Sequence, residues 1–281
     1  MYFRFILLVF FLPVLGHVKS NEPFEIPRST TIPITDAIQD RDYELFIKLS
    51  KSYESSNKKY PVIYLTDAMY TFQIVSGATR YPMTVNTMEE AIIVGISWDK
   101  ETPAALSRQR DYTPTVKANW EDPTGGAEDY IKFIRDVIFK EVETRFRADS
   151  SRRTYVGNSF GGLLGAYILF KDGGMFKNYI LGSPSLWYDD RVIFDLEESY
   201  SQENDNLRAN VFVSIGSLEM PKYQGSGWKH DMVKDTKKFY DTLKKREYLD
   251  LKLKLFVIDD ATHETDFPTT AIHGLYWLYK I

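Results

Sequence analysis

The sequence predicts a single α/β domain, a mostly parallel central sheet with helices on both faces and an antiparallel edge at its N-terminal end. Three observations predict it. From Glu128 onward, strand-like runs alternate with helical ones, the order that a parallel sheet with helical crossovers requires. Tyr60–Leu65 and Ala91–Ile96 are nearly continuous apolar runs, as expected of strands covered on both faces. Two earlier segments alternate polar and apolar, as strands with one wet face do.

In chain order, Thr30–Thr35 alternates but carries Pro33, which cannot donate to a ladder and so marks an edge strand. Tyr43–Leu49 alternates more cleanly, and the two pieces make the antiparallel edge. The apolar strands at Tyr60 and Ala91 follow. Glu128–Phe146 is a helix, because Tyr130, Ile131, Ile134, Val137, Ile138, Val142 and Phe146 fall on one stripe. Thr154–Val156 is a short strand and Leu163–Phe170 a buried helix. Asn178–Leu181 and Asn210–Ile215 are strands, Asp231–Arg246 a charged amphipathic helix, Leu251–Ile258 the last strand and Thr269–Tyr279 the closing helix. Ser199–Asn206 is polar and is expected to be a surface loop. No repeat or linker divides the 281 residues, and a hydrophobic content of 43% is enough for one large core.

Charge and composition exclude several functions. With 35 basic and 39 acidic residues nothing points to nucleic acid. The absence of cysteine excludes disulfides, thiolate metal ligands and a cysteine nucleophile. At the N-terminus, Arg4 precedes the apolar run Phe5–Leu12, with Val14 and Gly16 as small residues before His17. That run is too short to span a bilayer and reads as a secretory signal peptide over residues 1–20. The mature chain, 21–281, is then expected to be exported, periplasmic or secreted, and to keep no integral membrane segment.

The chemistry centres on Gly157-Asn158-Ser159-Phe160-Gly161, a G-x-S-x-G motif between the strand at Thr154 and the helix at Leu163. Strand, tight turn and helix push a serine up on a sharp elbow, with glycines allowing the close approach. Ser159 is therefore the candidate nucleophile. A base is expected at the carboxyl end of a later strand, and His263 lies just past Leu251–Ile258. His230 and His273 fit surface or core roles better. Glu219, just past Asn210–Ile215, is the first choice for an acid orienting the imidazole. Asp231 is the second choice, Asp260 and Glu264 the third, and a serine–histidine dyad needs no acid. The oxyanion hole needs two backbone N–H groups. Phe160 supplies one, and Ala68 or Met69 the other, with Met69 favoured. Arg108, Arg110 and Asp111 form a charged cluster before Pro114, an internal ion pair pinning a long loop or else a substrate contact. Trp187 and Tyr188 either line an acyl pocket or pack in the core. Tyr223 and Trp228 lie in a glycine-bearing loop placed to cap the site.

Several stretches carry a resemblance that spans nearly all of the mature chain. They are Y-L-T-D-A-M around Asp67, R-Q-R-D-Y-T-P-T from Arg108, G-G-A-E-D-Y-I-K-F-I from Gly125, G-N-S-F-G-G at Ser159 and S-P-S-L-W-Y from Ser183. In these the chain resembles the esterase family of the α/β-hydrolase superfamily. It is most like the periplasmic siderophore esterases, which cleave the trilactone of enterobactin and of its glucosylated relative salmochelin. The resemblance implies the α/β-hydrolase fold, Ser159 as nucleophile, His263 as base, and Phe160 with the Asp67 loop as the oxyanion site. It implies equally that some members work as dyads. Ala68 stands where relatives commonly have glycine. The expected function is an exported serine carboxylic-ester hydrolase acting on a small-molecule ester without metal or cofactor, with Asp67, Arg108, Arg110, Trp187 and Tyr188 as pocket candidates. An acyltransferase using an alcohol acceptor and a non-catalytic binding protein are the alternatives. An intact Ser159 and His263 argue against the second.

Overall fold

The computed structural model describes residues 23–223 and 229–281. The expected signal peptide and Trp228 lie outside the described residues. Among those residues eight strands form one sheet: β1 (Ser29–Asp36), β2 (Arg41–Lys48), β3 (Tyr60–Leu65), β4 (Ile92–Ile96), β5 (Ala148–Asn158), β6 (Asn178–Gly182), β7 (Asn210–Gly216) and β8 (Lys252–Ile258). Their spatial order is β1-β2-β4-β3-β5-β6-β7-β8. β1 runs antiparallel to β2, and β2 to β4, while every other pair is parallel. The expected antiparallel edge is there, with Pro33 on the outermost strand, where its missing N–H costs no ladder bond.

The period-two pattern of the strands sorts the core into two layers. Ile63 and Leu65 of β3 point to one face, where α1 (Ala68–Thr84) brings Phe72 and Val75 and α8 (Phe267–Tyr279) brings Ala271 and Leu275. Val62 and Tyr64 point to the other. There they meet Tyr112 of α2 (Ala104–Tyr112), Tyr130 of α3 (Ala127–Phe133) and Val142 of α4 (Phe139–Arg145). Leu164 of α5 (Phe160–Lys171), Ile193 of α6 (Tyr188–Glu203) and Phe239 of α7 (Met232–Arg246) complete that layer. Burying each such side chain contributes about 1.5–3 kcal/mol.

Three helices depart from the sequence expectation. α1 follows β3 directly, although Gly77 and Pro82 interrupt its periodicity. The expected long loop at Arg108 is α2, a helix hidden from pattern reading because Ser107 and Asp111 are on its buried side with Tyr112. α6 takes in most of Ser199–Asn206, burying Ile193 and Glu197 beneath an otherwise charged surface. The single helix expected over Glu128–Phe146 is α3 and α4 joined by a π-helical turn at Ile134–Ile138, which rotates the apolar stripe between them. Because β3, β4, β5, β6, β7 and β8 are parallel, the loops after Leu65, Ile96, Asn158, Gly182, Gly216 and Ile258 all leave one edge of the sheet.

Candidate active site

Ser159 stands between β5 and α5 with φ 59° and ψ −119°, a conformation that costs an L-residue strain. The surroundings hold it there. Its N–H donates to Gly182 O at 3.0 Å, and its carbonyl accepts from Leu163 at 3.0 Å and Ser185 at 3.1 Å. A Cβ at Gly157 would sit 2.4 Å from the Gly161 carbonyl oxygen, so only glycine lets strand and helix cross this closely. The serine Oγ lies 3.3 Å from Ser185 Oγ. Phe160 opens α5, where first-turn N–H groups have no intrahelical partner and form the positive end of the helix dipole.

Two strands further on Glu219 follows β7, and three strands on His263 follows β8. His263 Nδ1 is 2.7 Å from Glu219 Oε2. The Glu219 carboxylate is fully buried and accepts two more hydrogen bonds, from the Gly216 N–H at 2.8 Å and from Ser183 Oγ at 2.5 Å. Burial disfavours the imidazolium, but the hydrogen bond and charge of Glu219, helped by Glu264, outweigh it. The His263 pKa therefore lies above the ordinary histidine value.

The other acid candidates have different surroundings. Asp231 caps α7, accepting the Lys234 N–H at 2.9 Å. Asp260 and Glu264 are exposed in the loop after β8. His230 stacks on Trp187 at 4.2 Å, and His273 stacks on Phe256 from α8. Burial, then the positive charge of Arg191, lower the His230 pKa.

Asp67 is fully buried and braces the turn into α1. It takes Trp98 Nε1 at 2.5 Å and Arg108 Nε at 3.0 Å on one oxygen, and Arg108 Nη2 at 3.1 Å on the other. It also takes the left-handed backbone position, φ 56°, so Ala68 needs no glycine-like conformation and starts the helix normally. Met69 is next in the first turn of α1, its side chain half exposed. Arg108 extends over the Phe160 ring at 5.6 Å. Arg110 belongs to a separate cluster with Asp111 and Asp99, remote in role from Asp67. Trp187 packs 6.0 Å from Phe160, whereas Tyr188 is fully buried and donates to the Thr115 carbonyl at 2.8 Å. Among the described residues no three His, Asp or Glu side chains group as metal ligands.

The Esterase family model matches residues 36–247. The chain belongs to the Esterase family. It is an ester hydrolase on the α/β-hydrolase fold. The ferri-bacillibactin esterase BesA of Bacillus subtilis is 29% identical to it over 71% of this chain and 74% of its own. The siderophore triacetylfusarinine C esterase of Aspergillus fumigatus is 27% identical over 68% of this chain and 71% of its own. Among solved structures, the BES protein of Bacillus cereus superposes with a TM-score of 0.83 at 25% identity, covering 95% of this esterase and 100% of that chain. Sequence reasoning about the esterase missed Ser183, Ser185, Trp98, Trp120 and Asp266. Ser183 and Ser185 lie in the S-P-S-L-W-Y stretch and Asp266 lies three positions after His263, signals of position that carry no role without the tertiary contacts, and the two tryptophans carry no signal of their own.

Proposed function

We propose that this esterase is an exported serine hydrolase that cleaves siderophore esters through an acyl-enzyme. Ser159 Oγ attacks the ester carbonyl while His263 Nε2 takes its proton. The C–O bond to the alcohol then breaks, and His263 returns the proton to the leaving oxygen. Water repeats the cycle and frees Ser159. Glu219 accepts the Nδ1–H and so fixes the ring's tautomer and favours the imidazolium. The Phe160 and Met69 N–H groups receive the oxyanion.

The observation that carries this reading is the 2.7 Å contact between His263 and a buried Glu219, on the same sheet edge as the strained Ser159. For the substrate class, the relatives named as siderophore esterases are one support. The other is an aromatic wall beside the serine, where Trp120, Trp187 and Phe160 lie within 6.5 Å of one another and His230 continues the stack. Such a wall suits an ester with an aromatic acyl group. Labelling with a fluorophosphonate followed by peptide mapping tests the nucleophile: the adduct is expected on Ser159, and an adduct on another residue refutes the assignment. Product analysis with a siderophore trilactone and with a p-nitrophenyl ester tests the substrate class.

A further inference from the structure

Asp266 is fully buried at the start of α8, and the mechanism above leaves it without a role. Its Oδ2 lies 2.7 Å from Ser183 Oγ, and the same Oγ lies 2.5 Å from Glu219 Oε1. A serine hydroxyl carries one proton and cannot donate to two carboxylates at once. One carboxyl must therefore bring a proton of its own. Glu219 already takes donors on both oxygens, from Gly216 and from His263, whereas Asp266 Oδ1 has no partner among the described residues. A buried oxygen without a partner costs far more on an anion than on a neutral acid, so the proton belongs on Asp266.

We propose that Asp266 is held protonated and donates to Ser183, which donates to Glu219, making a relay that seats the carboxylate against His263. Asp266 is thus a positioning residue that acts through Glu219, and the proposal rests on the roles given above to Glu219 and His263. The groups around it act in both directions. Burial first, and the Glu219 charge second, push the Asp266 pKa up to about 7, against the opposing effects of Ser183, His263 and Asn158. With its amide turned so that the nitrogen faces these acceptors, Asn158 donates to Asp266 Oδ2 at 3.2 Å and to Gly182 O at 3.0 Å, Thr270 approaches from α8, and Tyr70 is the titratable neighbour from α1. Ser183 is held at φ 36°, with its N–H on Ser214 O at 2.9 Å, strain of the kind that persists where side-chain direction matters.

The relay has two measurable consequences. Ionising Asp266 sets two anions competing for the one Ser183 proton, so Glu219 is held less firmly against His263 and turnover falls on the alkaline side. Stability follows the linkage rule: a carboxyl with a raised native pKa binds more protons folded than unfolded, so stability declines as pH rises from about 4 through about 7.

The test compares Asp266→Ala and Asp266→Asn with the unmodified enzyme, in pH–rate profiles and in thermal unfolding across the same range. The alanine variant is expected to lose about tenfold or more in kcat with little change in KM. The asparagine amide donates as the protonated acid does, so it should restore most of that loss, abolish the alkaline limb and flatten the decline of stability with pH. An asparagine variant that keeps the alkaline limb and the stability slope, or that is no better than alanine, overturns the relay. Glu219→Gln separates the two failures: if it leaves turnover unchanged, the role of Glu219 itself is wrong, and if it is costly while Asp266→Asn keeps the limb, only the relay is.

Discussion

At Ser159 the backbone is strained, and the strain is balanced by hydrogen bonds to Gly182, Leu163 and Ser185 rather than by packing of the side chain. Ser159→Ala should accordingly lower hydrolysis of a short p-nitrophenyl ester by several orders of magnitude and leave the unfolding temperature nearly unchanged. Retention of more than about a tenth of the activity would refute the assignment. Glu219→Gln should lower kcat by about a hundredfold or more with little effect on KM, because the imidazolium loses its anion. The sign of the pH effect is set by the same contact. Glu219 raises the His263 pKa, so its removal should shift the acid limb of the profile to lower pH. A loss of less than about fivefold with an unmoved profile would identify a dyad.

At the level of elements, the site depends on how tightly β3, β5 and the helices after them approach. Gly157→Ala would drive a methyl group into the Gly161 carbonyl, backbone against backbone, with no rotamer able to relieve it. Its cost should reach or exceed the roughly 1–3 kcal/mol typical of overpacking, read as a lower urea midpoint with an unchanged slope. The turn into α1 has its own brace in the Arg108–Asp67 pair, which ties α2 to the loop carrying Met69. Arg108→Met would leave Asp67 buried beside Trp98 without its counter-charge, a loss of about 3–5 kcal/mol. We expect kcat to fall as well, since the N–H groups at the start of α1 would lose their fixed position.

For the molecule as a whole, a parallel sheet delivers six loops to one edge, and the proposed chemistry draws on the loops after β3, β5, β7 and β8. Arranged in this way, loops from Asp67 to His263 come to one edge although more than half of the chain separates them. No helix among the described residues is long and apolar enough to cross a membrane. The run Phe5–Leu12 is expected to act as a cleaved export signal. Intact-mass analysis of protein from the native host should show a chain starting between His17 and Asn21, and a cytosolic chain beginning at Met1 would refute export.

Periodicity and glycine placement were enough to read the sheet, its antiparallel edge, the serine elbow and a histidine past the last strand. These are local properties: alternation records which faces are buried, and two glycines around a serine record a close crossing. The helices α1, α2 and α6 were not legible because polar residues on their buried sides, together with Gly77 and Pro82, erase the apolar stripe. Choosing among Glu219, Asp231, Asp260 and Glu264 was equally beyond the sequence, since all four are carboxylates near strand or helix ends. Only the adjacency of β7 and β8 brings Glu219 within 2.7 Å of His263, while Asp231 spends its carboxylate capping α7. Asp266 carried no sequence signal at all, because what distinguishes it is the burial of a second carboxyl on a shared hydroxyl. Pattern along the chain records burial and turn geometry. Which charged groups come together is decided by distances between segments far apart in sequence, and those exist only in the folded molecule.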